Sequence, residues 1–208
     1  EADLTNKHIN TFLEAKNVYR YKKGEAIFCQ GNKSNFVFLI KKGIAKEFKI
    51  NKLGKQLITN FYTKDSFFGY TSIIKDQPHF QNAEALTNVE LYKIQKREIL
   101  ILLNKNPKLI NSILAVISND LVASKNLLLT FAYGSVRKKV ATMLLKLLQN
   151  KELAIDNKIT ISRVDLANYT GVAKETLIRT LYDFKDENLL NLHPKSIEIL
   201  DPIRLQKI

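Results

Sequence analysis

The stretch Ser162-Arg-Val-Asp-Leu-Ala-Asn-Tyr-Thr-Gly-Val-Ala-Lys-Glu-Thr-Leu-Ile-Arg-Thr-Leu restricts the fold more than any other part of this chain. Within it Ala167, Gly171 and Leu177 stand four and six residues apart, and each meets one demand of two helices crossing at a tight turn. The first helix needs a small side chain where the second crosses it, the turn needs left-handed backbone, and the shared core needs a branched plug. The spacing predicts helices from Ser162 to Tyr169 and from Ala173 to about Glu187. Val164, Leu166, Val172, Leu177, Ile178 and Leu181 supply the apolar side. Ala173, Lys174, Glu175, Thr176, Arg179 and Thr180 are left facing outward on the second helix.

The flanking sequence extends this pair into a winged helix-turn-helix. Val136, Val140, Met143, Leu144 and Leu147 give one face of a preceding helix, with Ser135 as its N-cap after the break at Tyr133-Gly134. Lys158 to Ile161 reads as a strand. Leu189 to Leu192 and Ile197 to Leu200 flank a His193-Pro194-Lys195-Ser196 turn as a hairpin.

Upstream the texture differs. An amphipathic helix is expected from Leu4 to Ala15 on Ile9, Phe12 and Leu13. From Val18 to Ile94 short β-prone runs follow (Ile27-Phe28, Phe36 to Ile40, Ala45 to Ile50, Leu57 to Tyr62, Glu90 to Ile94), punctuated by Gly24, Gly31, Gly43 and Gly54. Brief strands at regular intervals imply a barrel or roll. A long helix is predicted from Pro107, a residue suited to a first turn. In it Ile110, Leu114, Ile117, Leu121, Ser124, Leu128 and Phe131 alternate spacings of four and three, the seam of a coiled coil with Ser124 its one polar member. Such a seam wants a partner helix. The competing reading packs it on its own roll, a role that Ile113, Val116 and Val122 can fill. The resulting fold class is α+β, divided as 1–105 (roll), 106–134 (dimerisation helix and hinge) and 135–208 (winged helix).

On the second helix of the motif, Arg179 can bond bidentately to guanine O6 and N7, and Glu175 can accept from a cytosine amino group. The two also stand at i and i+4, where they could form a surface ion pair; their place in the motif makes base contact the stronger reading. Ser162, Arg163, Arg137 and Lys195 are candidates for phosphate contacts, or for plain solvated surface. The net charge of +13 suits a nucleic-acid partner. The charge is not focused on the reader, however: 20 Lys and Arg face 11 Asp and Glu before residue 135, and 13 face 9 after it.

Composition narrows the classes further. A single cysteine, Cys29, excludes an intrachain disulfide, an all-cysteine zinc site and a four-cysteine iron-sulfur cluster within one chain. There is no apolar run of membrane-spanning length, and the Glu1-Ala2-Asp3-Leu4-Thr5 start is acidic where a signal peptide is basic, so a soluble cytoplasmic protein is expected. A start at Glu1 rather than Met suggests a segment upstream. HExxH, GxSxG and P-loop patterns are all absent, and no catalytic or metal-binding residue is assigned.

The whole chain resembles the Crp/Fnr family of bacterial transcription regulators. The resemblance rests on Gly24-Glu25-Ala26-Ile27-Phe28-Cys29-Gln30-Gly31, Phe38-Leu39-Ile40-Lys41-Lys42-Gly43 and Phe67-Phe68-Gly69 in the roll, and on Gly171-Val172-Ala173-Lys174-Glu175-Thr176-Leu177-Ile178-Arg179 in the reader. It implies a cyclic-nucleotide-binding-type roll, a homodimer, double-stranded DNA as partner and RNA polymerase as a further one. Lys174 replaces the first Arg of the Arg-Glu-Thr seen in cyclic-AMP-responsive members. Lysine lacks the planar fork, so an altered site preference follows.

The resemblance also implies an effector pocket, at Phe68, Gly69, Tyr70, Gln81 and Asn82, with Ser124 and Lys125 matching the adenine-contacting region of the long helix. Cyclic-AMP binders in the family follow Phe-Gly with Glu and place Arg-Ser or Arg-Thr before Ala. Here those places hold Tyr70 and Gln81-Asn82-Ala83. A buried phosphate without a cation costs several kcal/mol, so cyclic AMP is not expected as effector. Lys75 or His79 could supply a cation from the same loop, or Tyr70, Phe67 and Phe68 could fill the pocket. Haem would need a ligand such as His79, with only His8 and His193 elsewhere, and no cofactor is assigned. The competing function is a sensor or interaction module whose winged helix docks a protein instead of DNA.

Overall fold

A computed structural model describes residues 16–105 and 107–208, so the helix expected over 4–15 lies outside the described residues. The chain divides into two compact units: residues up to Lys49 together with Thr59–Val122, and Ile50–Ile58 together with Ala123–Ile208.

In the first unit the short β-prone runs become strands β1 (Val18–Tyr21), β2 (Ala26–Phe28), β3 (Phe36–Lys42), β4 (Ala45–Ile50), β5 (Gln56–Tyr62), β6 (Phe67–Phe68), β7 (Asn82–Ala85) and β8 (Val89–Gln95). The tip of the β4–β5 pair counts with the second unit. The strands form two four-stranded sheets, ordered β1-β8-β3-β6 and β2-β7-β4-β5. β3 runs antiparallel to β8 from Phe36 opposite Gln95 to Lys42 opposite Glu90. Phe28, Phe38, Ile40, Phe68, Ala83, Ala85 and Leu91 fill the core of the roll. There the Phe38 and Phe68 rings stack at 5.1 Å and Tyr62 stacks on Phe68 at 4.9 Å. Three strands were not anticipated, β1, the two-residue β6, and β7, whose Asn-Ala-Glu-Ala sequence carries no β-branched residue, and neither were two short helices. Short helices α1 (Tyr70–Ile74) and α2 (Lys96–Lys105) follow, and α3 runs from Pro107 to Tyr133 as the heptad pattern requires.

The second unit carries α4 (Val136–Leu148), β9 (Ala154–Ile155), β10 (Lys158–Ile159), α5 (Arg163–Thr170), α6 (Lys174–Asp186), β11 (Leu190–Leu192), β12 (Ile197–Ile199) and α7 (Pro202–Gln206). This is the predicted order of helix, strand, helix, helix and hairpin, with β9 and α7 added. Ser135 caps α4 as expected, its Oγ accepting from the Lys138 N–H at 3.1 Å. Gly134 is needed for space rather than for conformational freedom, because a Cβ there would fall 2.4 Å from the Thr130 carbonyl oxygen. Strands β11-β12-β10-β9 form one sheet. Buried Val140, Met143, Leu144, Leu147, Leu166, Leu177, Leu181 and Phe184 make the core of this unit.

Candidate nucleic-acid interface

The α5–α6 pair is held by the residues whose spacing predicted it. Ser162 caps α5: its Oγ accepts from the Asp165 N–H at 2.9 Å and donates to Asp165 Oδ2 at 2.6 Å. α5 ends on Gly171 at φ 64°, left-handed backbone that a side chain adopts only with strain. Ala167 is buried and its carbonyl accepts from the Val172 N–H at 3.2 Å, while Leu177 is sealed between the helices. Two expectations change. Val164 is about half exposed instead of buried. Thr180 is buried instead of outward, and its Oγ1 donates to the Thr176 carbonyl at 2.9 Å. A hydroxyl on the buried face of a helix is hidden from sequence reading because it can satisfy itself within one turn.

Of the residues expected outward, Ala173, Lys174, Glu175 and Arg179 are exposed, with Thr176 half-buried. Among the described residues none of the Lys174, Glu175 and Arg179 side chains makes a hydrogen bond or ion pair. The i,i+4 pair that Glu175 and Arg179 could form is therefore not made. Ala173 offers no side chain to cap α6, leaving its first-turn N–H groups without a side-chain acceptor.

The predicted phosphate contacts divide. Lys195 is exposed at the hairpin turn. Arg163 is half-buried, and its Nη2 donates to the carbonyls of His193 and Ser196 at 3.1 Å each, fastening that turn to α5. Burial pulls its guanidinium below the usual arginine range. Arg137 is committed as well: it pairs with Glu187 at 2.8 Å and lies over the Phe184 ring at 4.7 Å.

On α3, Ile110, Leu114, Leu121 and Leu128 are exposed, as is Ser124, with Ile117 and Phe131 half-buried. Val122, at 58% exposure, does not serve as packing within its own chain; the side chains of Ile113 and Val116 lie outside the described residues. Phe131 stands close to the motif's turn, since a Cβ on Gly171 would come within 3.4 Å of its ring. Lys125 is exposed.

In the roll, an open cavity of about 190 Å³, its mouth included, is lined by Phe28, Glu47, Gly69, Thr71, Ser72, His79, Phe80 and Gln81. Of the residues expected at an effector pocket, Gly69 and Gln81 are in this lining. Phe68 lies beneath, fully buried in the aromatic core. Asn82 holds the chain just past β2 by accepting from the Gln30 N–H at 3.0 Å, and the Tyr70 hydroxyl donates to Asp120 at 3.1 Å. Lys75 is exposed and not in the lining, and His79 lies flat on Phe28 at 3.8 Å. Sequence reading missed Glu47. Its clue is register: it shares a strand face with Ala45, which is fully buried in the core.

A winged helix-turn-helix joined to a β-roll is the build of a bacterial transcription regulator, and comparison with known proteins agrees. Residues 18–106 match the cyclic nucleotide-binding domain and residues 138–208 the Crp-like helix-turn-helix domain. The chain belongs to the Crp/Fnr family of DNA-binding transcription regulators. It is 27% identical to the transcriptional activator protein Anr of Pseudomonas protegens over 88% of this chain and 77% of that one. It is likewise 27% identical to the fumarate and nitrate reduction regulatory protein of Vibrio cholerae, over 90% of this chain and 76% of that one. FixK2 from Bradyrhizobium japonicum shares the fold with a TM-score of 0.83 at 20% identity, covering 93% of this chain and 96% of its own. These relatives favour DNA over a protein as the partner of the winged helix.

Proposed function

We propose that the chain works as a homodimer, paired along α3, that presents two α6 helices to successive major grooves of duplex DNA about 34 Å apart. One observation carries this reading. Lys174, Glu175 and Arg179 are exposed and unengaged on the second helix of the motif, whereas Arg163 and Arg137 are tied into the fold. Arg179 reads guanine and Glu175 cytosine, each bidentate or amino contact being worth about 1–3 kcal/mol of discrimination. Ala173 and Thr176 are short enough to let the helix approach. Lys195 and the α6 N-terminus hold phosphates. Ser162, Arg163 and Arg137 act behind them by fixing the two helices and the wing.

The exposed leucine and isoleucine face of α3 supports pairing, because an unpaired apolar stripe of that length is unfavourable in water. Labour divides along 1–105, 106–134 and 135–208. RNA polymerase is a further partner, regulation rather than catalysis is the role, and the cytoplasm is the compartment; among the described residues no helix is long and apolar enough to cross a membrane. Cyclic AMP is not the effector: Tyr70 and Gln81 replace the residues that would hold it, and a carboxylate lines the cavity.

The test is duplex binding at several salt concentrations, using near-palindromic sites selected from a random pool. Phosphate contacts predict a steep fall of log K with log salt and two half-sites about one helical turn apart. Binding that ignores both sequence and salt would contradict the proposal.

A further inference from the structure

Tyr182 continues the outward face of α6 past Arg179. At 100° per residue it stands about 20° round the helix from Glu175 and about 60° from Arg179, on the side away from buried Leu177, Thr180, Leu181 and Phe184. It follows Arg179 by three residues, about 4.5 Å along the axis, and is 54% exposed. A tyrosine offers a rigid reach that ends in a hydrogen-bonding hydroxyl, at little cost in side-chain entropy. Among the described residues that hydroxyl makes no hydrogen bond.

The surroundings of Tyr182 decide what it can touch. Lys185 Nζ lies over its ring at 5.9 Å, which occupies a ring face and leaves the hydroxyl as the free end. The phenol is also an electrostatic neighbour of the Arg163 guanidinium, the group that fastens the His193–Ser196 turn of the wing to α5. Tyr182 therefore stands between the reading face and the wing. Base edges are met by the N-terminal residues of a recognition helix, so a side chain more than two turns from Lys174 faces the wall of the groove. There the acceptors are phosphate oxygens, to which tyrosine is one of the usual donors. Asp183 and Asp186 are exposed beyond it and repel phosphates, so the contact ends at Tyr182, on the flank that carries Lys185.

We propose that Tyr182 is a further DNA contact of α6: its hydroxyl donates to a backbone phosphate at the wing side of the groove and so fixes how deeply Glu175 and Arg179 enter. The inference rests on the DNA-reading proposal and adds to it a neutral contact that positions the helix without reading a base.

The test measures binding of the full chain and of Y182F to the selected near-palindromic site and to random duplex, at several salt concentrations. Y182F should unfold at the wild-type temperature. It should lose about tenfold in affinity for both duplexes alike, with the slope of log K against log salt unchanged, because a hydroxyl releases no counterion. Methylphosphonate linkages placed one at a time through a half-site locate the partner: at one position the neutral linkage should weaken wild type by more than it weakens Y182F. The proposal is overturned if Y182F binds both duplexes as wild type does, if it loses only its preference for the selected site, or if every neutral linkage weakens the two proteins equally. Salt-dependent, site-selective binding by wild type with a silent Y182F would sink this inference alone and leave the reading by Glu175 and Arg179 standing. Wild-type binding that ignores both sequence and salt would sink the two together.

Discussion

Burial moves the Glu47 carboxyl from its ordinary 4.5 to about 7, the hydrogen bond from Tyr62 offsetting only part of the lost hydration. The folded chain then holds that proton more tightly than the unfolded one. The contribution of Glu47 to stability is therefore most favourable below about pH 4.5, weakens as the pH climbs towards 7, and is worst above it. A shift of this size corresponds to about 3 kcal/mol. Replacing Glu47 with Gln should stabilise the chain by about 1–3 kcal/mol at pH 8 and by almost nothing at pH 4.5. Urea unfolding at the two pH values checks this, and a variant less stable at pH 8 than at pH 4.5, relative to wild type, would refute it. Gly171 makes a second residue-level test. At φ 64° an alanine is strained, while its Cβ would meet Phe131 at an ordinary contact distance of 3.4 Å. Gly171→Ala should cost about 1–2 kcal/mol in thermal unfolding.

At the scale of elements, the wing depends on one side chain. Arg163 holds the His193–Ser196 turn through two carbonyls, and charge-assisted bonds of this kind contribute about 1–3 kcal/mol. Arg163→Ala should lower the unfolding temperature and speed amide exchange at His193 and Ser196 ahead of the α5–α6 core; unchanged exchange in the turn would show that the staple carries no weight. Sequence alone offered Arg163 as a candidate for a phosphate contact or as plain solvated surface, because a basic residue beside the motif looks the same whether it faces a phosphate, water or a carbonyl of its own chain. Elements with strong periodicity were legible: the α3 heptads, the α4 face, and β4 to the residue. Those missed lacked a local signal, as in β6 with two residues and β7 without a β-branched one. Glu47 was missed for a different reason. A lone acid in a strand reads as surface, and only the pairing of β4 with β7 encloses it.

For the molecule as a whole, the exposed seam of α3 ties pairing to function. Leu128 is 68% exposed in the single chain, so Leu128→Glu should leave the folding of each chain intact while placing two charges in an apolar seam. Sedimentation should show monomers where the wild type sediments as a dimer, and affinity for a two-half-site duplex should fall by at least about tenfold as bivalency is lost. A variant that stays dimeric would move the interface elsewhere. The central claim, that α6 reads bases through uncommitted side chains while Arg163 beside it only supports the fold, is tested most directly by comparing Arg179→Ala with Arg163→Ala. Both variants would be measured for unfolding temperature and for the ratio of affinities between the selected site and random duplex. The account predicts that Arg179→Ala keeps the wild-type unfolding temperature and loses at least about tenfold of that ratio, whereas Arg163→Ala is destabilised and, once folded, keeps its preference. A wild-type ratio in Arg179→Ala would contradict it.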